Sequence, residues 1–259
     1  MIIHSYLTDG LYGWAELFVK SFRYHHGDKH KIFLSTRDLS KKQVDDLLLT
    51  PNLYISNKPL DINEISKRSK MSVKKILKLK EDIEKRAVTK RSIIWKQAIS
   101  VEDRYRNSII EAMDFYPNED FLIHFDIDLY FRTHLRKLFK IVRSHDISIK
   151  FRLKSKLSRK VMGGLIGFRL CKKTRKFMDR WVYHIDQIPL YEKPLGYGQT
   201  SFYYAYLDLK DSINWGHVPS RFLSPRLQET DDIWSANSKR GKVRNLEICY
   251  NDFKEKKNK

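Results

Sequence analysis

Residues 121–131 read FLIHFDIDLYF, and no other run constrains the chain as much. Phe121 to Phe125 is apolar at every position but His124, so a strand here needs cover on both faces, which is the condition of a central strand in a parallel sheet. Asp126 and Asp128 follow at once, two residues apart, with Ile127, Leu129 and Tyr130 around them. Open α/β sheets bind ligands beyond the C-terminal ends of their strands, which is where this spacing puts both carboxylates. Two such groups repel unless a cation or hydrogen-bond donors stand close, and burying them ionised is costly without a partner. Their oxygens are hard ligands, suited to Mg²⁺ or Mn²⁺. The alternative is that Asp126 or Asp128 caps a helix beginning near Thr133, or that the pair closes a turn; its place behind a buried strand and between apolar residues favours the metal.

The rest of the chain supplies the layers that such a strand requires. Ile2 to Leu7 is a short apolar strand ending in the turn signal Asp9-Gly10, and Trp14, Leu17, Phe18 and Phe22 then recur at helical spacing up to Gly27. Lys31–Thr36, a helix from Ser40 to Leu49, and Leu53–Ile55 complete a β-α-β-α-β opening, which favours a parallel sheet flanked by helices. A Lys-rich helix follows. A longer helix then carries Ile94, Ala98, Val101, Tyr105, Ile109, Ala112 and Tyr116 on one stripe before Pro117-Asn118. Beyond the aspartates, Ile147–Phe151 and Gly164–Phe168 read as strands, and Lys172–Ile185 and Thr200–Leu209 as helices. With no repeat or linker in sight, residues 1–250 form one mixed α/β domain with a basic helical insertion at about 61–91, and 251–259 form a frayed basic tail.

Composition removes several alternatives. The 259 residues include 14 Phe, 14 Tyr and 5 Trp, ample material for a core, so a disordered basic protein is excluded. Cys171 and Cys249 are too few for a disulfide scaffold or a zinc ribbon. The opening residues lack a signal-peptide pattern and no run approaches the roughly 20 apolar residues of a membrane span, so a cytoplasmic protein is expected. With 51 Lys+Arg against 31 Asp+Glu, the net charge of +20 draws anionic partners: nucleic acid, nucleotide phosphates, or the surface of an anionic membrane at its periphery. The excess gathers in residues 67–91 and again from Arg132 to Lys160, as solvated helix faces or as docking surfaces.

On these segments the chain resembles the GT-A class of nucleotide-sugar glycosyltransferases. The resemblance rests on Asp126-Ile127-Asp128 as the D-x-D motif after a central strand, with Ile2–Leu7 and its turn before it, and MGGLIGF and GYGQTSFYYAY after it. It implies a GT-A-like, Rossmann-like fold, a nucleoside-diphosphate-sugar donor, UDP-type favoured, and Mn²⁺ or Mg²⁺. Asp126 would then lie by the ribose and metal, and Asp128 on the metal. Thr8 and Asp9 would lie near the base, Gly163, Gly164 and Gly167 where backbone approaches the sugar or acceptor, and Lys242, Lys239 or Arg240 by the diphosphate. A third metal ligand would come from late in the chain, with His217 the best-placed histidine and Asn237 an alternative. Many relatives carry an acid before the glutamine at Gln199, where this chain has Gly198, and a neutral amide by the anomeric carbon favours a retaining enzyme.

The remaining candidates carry less. His25, His26 and His30 lack acid or Cys partners at ligand spacing and read as exposed loop residues, and His124 reads as a core histidine. Arg132 is a further diphosphate candidate, and Glu192, Asp186 and Glu229 are acids without a place. The functional expectation is a metal-dependent glycosyltransferase acting on a hydroxyl acceptor. The charge favours an anionic one, such as a phosphorylated glycan or modified nucleic acid, held by Lys74, Lys75 and Lys78. The alternative is a basic nucleic-acid-binding protein in which the two aspartates are structural.

Overall fold

The computed structural model describes residues 1–8, 11–37, 39–58, 62–63, 66, 72–84, 107–157, 160–187, 197–223, 228, 230–235 and 242–258. The opening alternates as expected: β1 (Ile2–Thr8), α1 (Tyr12–His26), β2 (Lys31–Arg37), α2 (Lys41–Leu48) and β3 (Leu53–Lys58). Gly27 ends α1 because its φ of 59° is open to glycine at little cost. Arg23 fastens that end by donating to the carbonyls of Gly27, His30, Pro51 and Asn52. Ser40 and Gln43 form a reciprocal capping box at the start of α2.

α3 (Val73–Glu84) is the Lys-rich helix, started by Ser72, whose hydroxyl accepts from the Lys75 amide. Of the long helix expected next, α4 (Ile109–Phe115) is described; Ile94, Ala98, Val101 and Tyr105 lie outside the described residues. The chain continues through β4 (Phe121–Asp126), β5 (Leu129–Phe131), α5 (Arg136–Ser144), β6 (Ile147–Phe151), β7 (Val161–Arg169), α6 (Lys172–Asp186), α7 (Tyr197–Leu209), β8 (Trp215–His217), β9 (Ile233–Ser235) and α8 (Lys242–Lys257).

Among the described residues the main sheet has seven strands in the order β3-β2-β1-β4-β7-β6-β8, and β5 pairs with β9 in a second, small sheet. β7 alone runs against its neighbours in the main sheet. The mixed, mostly parallel sheet with helices on its faces is the architecture expected from the β4 run. One face buries Ile3, Leu7, Ile123, Phe125 and Leu165 against α1 and α5 through Phe18, Phe22, Leu138 and Val142. The other buries Ile2, Phe33, Leu122, Ile166 and Phe168 against α4, α6 and α7 through Met113, Phe177, Trp181 and Phe202.

Residues 251–257 depart from the frayed tail expected of them and complete α8 instead. Asp252 accepts from Tyr130 Oη at 2.6 Å and Arg132 Nη2 at 3.1 Å, Lys256 Nζ donates to the Arg132 carbonyl, and Tyr24 Oη to that of Lys256. The chain's basic end is thereby docked by one acid within it. Arg132 is committed to this contact and stacks over Trp234, with its guanidinium carbon 4.0 Å from the ring centre, so it does not serve as a diphosphate ligand.

Candidate active site

β1 and β4 lie side by side in parallel register, with His4 opposite His124 and Tyr6 opposite Asp126. Alternation therefore sends His4, Tyr6, His124 and Asp126 to one face of the sheet. His4 and His124 are fully buried and share a hydrogen bond between their Nδ1 atoms at 2.8 Å, so one ring donates and the other accepts. The far nitrogen of His4 reaches Ser35 Oγ at 3.4 Å, and His124 Nε2 stands 4.0 Å from Asp126 Oδ1. A buried polar line thus crosses three strands to the first aspartate, and His124 is a core histidine, as the sequence suggested.

Asp126 ends β4 with its side chain 21% exposed, while Asp128, in the turn that follows, is 4% exposed. Neither faces bulk solvent. Gly164 on β7 lies against Asp126: a Cβ there would sit 2.9 Å from Asp126 Oδ2 and 3.3 Å from a methyl of Leu223. The space that this glycine leaves is filled by the carboxylate. Gly167 serves packing instead, since a Cβ there would come within 2.5 Å of Val142 on α5. Both glycines lie within β7, and Gly164 falls among residues 163–165, where the pairing of β7 with β6 slips out of register.

β5 follows the acidic pair directly, and its register with β9 sets Leu129 opposite Ser235. Ser235, buried, thus pairs with the residue that follows Asp128. β9 is fixed by its first neighbours: Asp232 accepts from Thr133 Oγ1 at 2.6 Å, pairs with Arg221, and takes the Arg132 amide on its carbonyl. Burial alone would raise the Asp232 carboxyl, but the bonds from Arg221 and Thr133 hold it below its ordinary value.

The other expected site residues fall unevenly. Thr8 ends β1 opposite Arg37, and Lys242 begins α8; the side chains of both, and all of Asp9, Asn237, Lys239, Arg240, Glu192 and Glu229, lie outside the described residues. Gln199 is half-buried in the first turn of α7, which packs on β7, the strand next to β4. Trp181 Nε1 holds that turn by donating to the Gly198 carbonyl at 3.1 Å. His217 is a correction. It is exposed on β8, opposite Ile149 and three strands from β4, a separation of roughly 14 Å at ordinary strand spacing. Among the described residues no three His, Cys, Asp or Glu side chains gather in a metal-binding group, so His217 does not join the aspartates.

His25, His26 and His30 are likewise not the exposed loop residues expected of them. His25 and His26 complete α1, and the three pack with His134 around Phe22 and Phe139, at ring separations of 4.6 to 6.3 Å. Sequence reasoning also missed Tyr6 and Arg37. Tyr6 lies in register with Asp126, and the Arg37 guanidinium carbon stands 5.7 Å from the Tyr6 ring centre, both buried at the acidic end of the sheet. The alternation of His4, Tyr6 and Thr8 in β1 was the available signal.

Sheet order, the single reversed strand and an acidic pair at the end of the central strand define a GT-A glycosyltransferase fold. Solved structures agree. The galactosyltransferase LgtC in complex with donor and acceptor sugar analogs matches over 97% of this chain and 95% of its own, with a TM-score of 0.56 at 11% identity. A second LgtC structure, an active-site mutant with glutamate in place of glutamine, matches over the same shares with a TM-score of 0.57 at 12% identity. The apo form of the glycosyltransferase GlyE of Streptococcus pneumoniae TIGR4 gives 0.59 at 12% identity, over 97% of this chain and 59% of that one. No family model and no curated protein sequence matches. At such identities the likeness establishes the fold alone.

Proposed function

We propose that this chain is a metal-dependent glycosyltransferase that moves a sugar, with retention of configuration, from a nucleoside diphosphate, UDP favoured, to a hydroxyl acceptor. The carrying observation is the acidic pair: Asp126 ends the central strand, Asp128 lies in the turn after it, and Gly164 leaves room for the Asp126 carboxylate. Carboxylate oxygens suit a hard divalent ion such as Mn²⁺ or Mg²⁺, and Asp126 and Asp128 are the residues to hold it. A bound cation of that kind supplies Lewis-acid stabilisation to a departing diphosphate.

The chain's own groups do the rest. Thr8 and Asp9 receive the nucleoside beyond β1, in line with the buried Tyr6 and Arg37, and Lys242 offers charge to the diphosphate. Gln199, a neutral amide, positions the sugar at its anomeric carbon; the glutamine-to-glutamate active-site mutant of LgtC makes a glutamine in this fold a site worth testing. Trp181 and Ser201 hold its turn in place. The acceptor is a hydroxyl compound of anionic character, in keeping with the net charge of +20 and with Lys74, Lys75 and Lys78 exposed on α3.

Thermal unfolding tests the reading. UDP with Mn²⁺ raises Tm by several degrees, neither component alone does so, and Asp128→Asn loses the shift while melting like the parent protein. An equal shift from UDP without metal, or in the variant, contradicts it.

A further inference from the structure

β7 runs antiparallel to β4, so its first residues, from Val161, lie at the same end of the sheet as Asp126. The hairpin joining β6 to β7 therefore projects from the acidic end. It is a built turn: the Arg152 amide donates to the Lys160 carbonyl at 2.6 Å, Ser155 to Arg152 at 2.8 Å, and Lys160 to Leu157 at 3.2 Å. Lys160 locks it further, its Nζ donating to the Leu153 carbonyl while standing 5.4 Å from the Tyr203 ring centre on α7. The hairpin is thus tied to the helix that carries Gln199.

On this turn Leu153 is 53% exposed and Leu157 38% exposed. Arg152, Lys154 and Lys156 are exposed between and beside them, with no acid from Arg152 to Lys160 and no ion-pair partner among the described residues. A single exposed leucine needs no explanation, but two on one turn, set among the exposed cations Arg152, Lys154 and Lys156, form an apolar patch in a positive field.

The geometry points to this hairpin as a docking element for an anionic lipid bilayer. Leu153 and Leu157 enter the headgroup boundary, and Arg152, Lys154 and Lys156 meet acidic headgroups. A nucleic acid would gain from the cations but nothing from the leucines, since single strands are held by aromatic stacking and duplexes by phosphate contacts. Docking in this way turns the acidic end of the sheet toward the membrane surface. The proposal does not depend on the transfer reaction.

Flotation of the full chain with vesicles tests it. Vesicles containing about a third phosphatidylserine carry the protein, whereas pure phosphatidylcholine vesicles do not. Leu153→Ser with Leu157→Ser weakens binding about ten-fold or more, and Lys154→Glu with Lys156→Glu weakens it at least about five-fold per residue. Both double variants keep the parent Tm and the parent response to UDP and Mn²⁺, so loss of docking is distinguishable from loss of the site. Failure of the parent protein to float with the acidic vesicles overturns the proposal. So does undiminished flotation of the leucine variant, which would mark the hairpin as a general polyanion contact.

Discussion

Gly164 and Gly167 stand three residues apart on one strand and do unrelated work. At Gly164 an added methyl meets the Asp126 carboxylate, which rotates away at small cost to the fold but leaves its place at the end of β4. At Gly167 the methyl meets the branched side chain of Val142 at three of its carbons, down to the Cβ, which cannot turn aside as the end of a flexible side chain would. Gly164→Ala is therefore expected to cut the Mn²⁺-dependent affinity for UDP by about ten-fold or more with little change in Tm, the signature of a displaced ligand. Gly167→Ala is expected to cost about 1–3 kcal/mol in denaturant unfolding, with nucleotide affinity retained, the usual cost of overpacking. Isothermal titration and urea unfolding of the pair decide the matter, and an exchange of the two phenotypes would refute the assignment. The sequence shows three glycines near one another and suggests close approach. Which atom each approaches depends on strand and helix register, and neither is encoded locally.

At the scale of elements, long segments with strong periodicity were legible and short ones were not. The β4 run, the first three strands and α6 lie within a few residues of where patterning puts them. β5, β8 and β9, three residues each, carry too little alternation to be read, yet β5 follows the second aspartate directly and is held by β9. α8 looked like a charged tail because its docking depends on Asp252 meeting Tyr130 and Arg132, some 120 residues away in sequence.

The junction of α1 and α5 carries a pH prediction. Burial, then the positive charges of Lys256 and His134, pushes His25 down to about 4. Burial with the other histidines takes His26 to about 3, and burial with the N-terminal amine, Arg143 and Arg23 takes His30 to about 4. All three are favoured neutral in the fold and bind protons more readily when unfolded. Their contribution is intact above about pH 6.5 and is lost as pH falls toward 4. Allowing for solvent screening, the loss between about pH 7 and pH 5.5 amounts to about 1–2 kcal/mol for the group. Urea midpoints across that window should fall with pH; flat or rising midpoints would show that the cluster is solvated rather than packed.

For the whole molecule, the class of fold could be read from one strand and the acids behind it, because a strand apolar on both faces demands helices on both sides. The composition of the site was less legible. The two aspartates share a strand end, which local order encodes, whereas Tyr6 and Arg37 reach it through pairings between distant strands. His217 was chosen for its residue type and is held away by sheet order. The central claim is that Asp126 and Asp128 hold a divalent cation for the diphosphate of a sugar donor. Many transferases split their donor slowly when no acceptor is present, so donor hydrolysis reads that claim directly. With Mn²⁺, the parent protein should release free sugar and nucleoside diphosphate from at least one of the UDP, GDP or CDP donors, and chelation or Asp128→Asn should abolish the release. Hydrolysis that persists unchanged in Asp128→Asn, or in excess chelator, would contradict it.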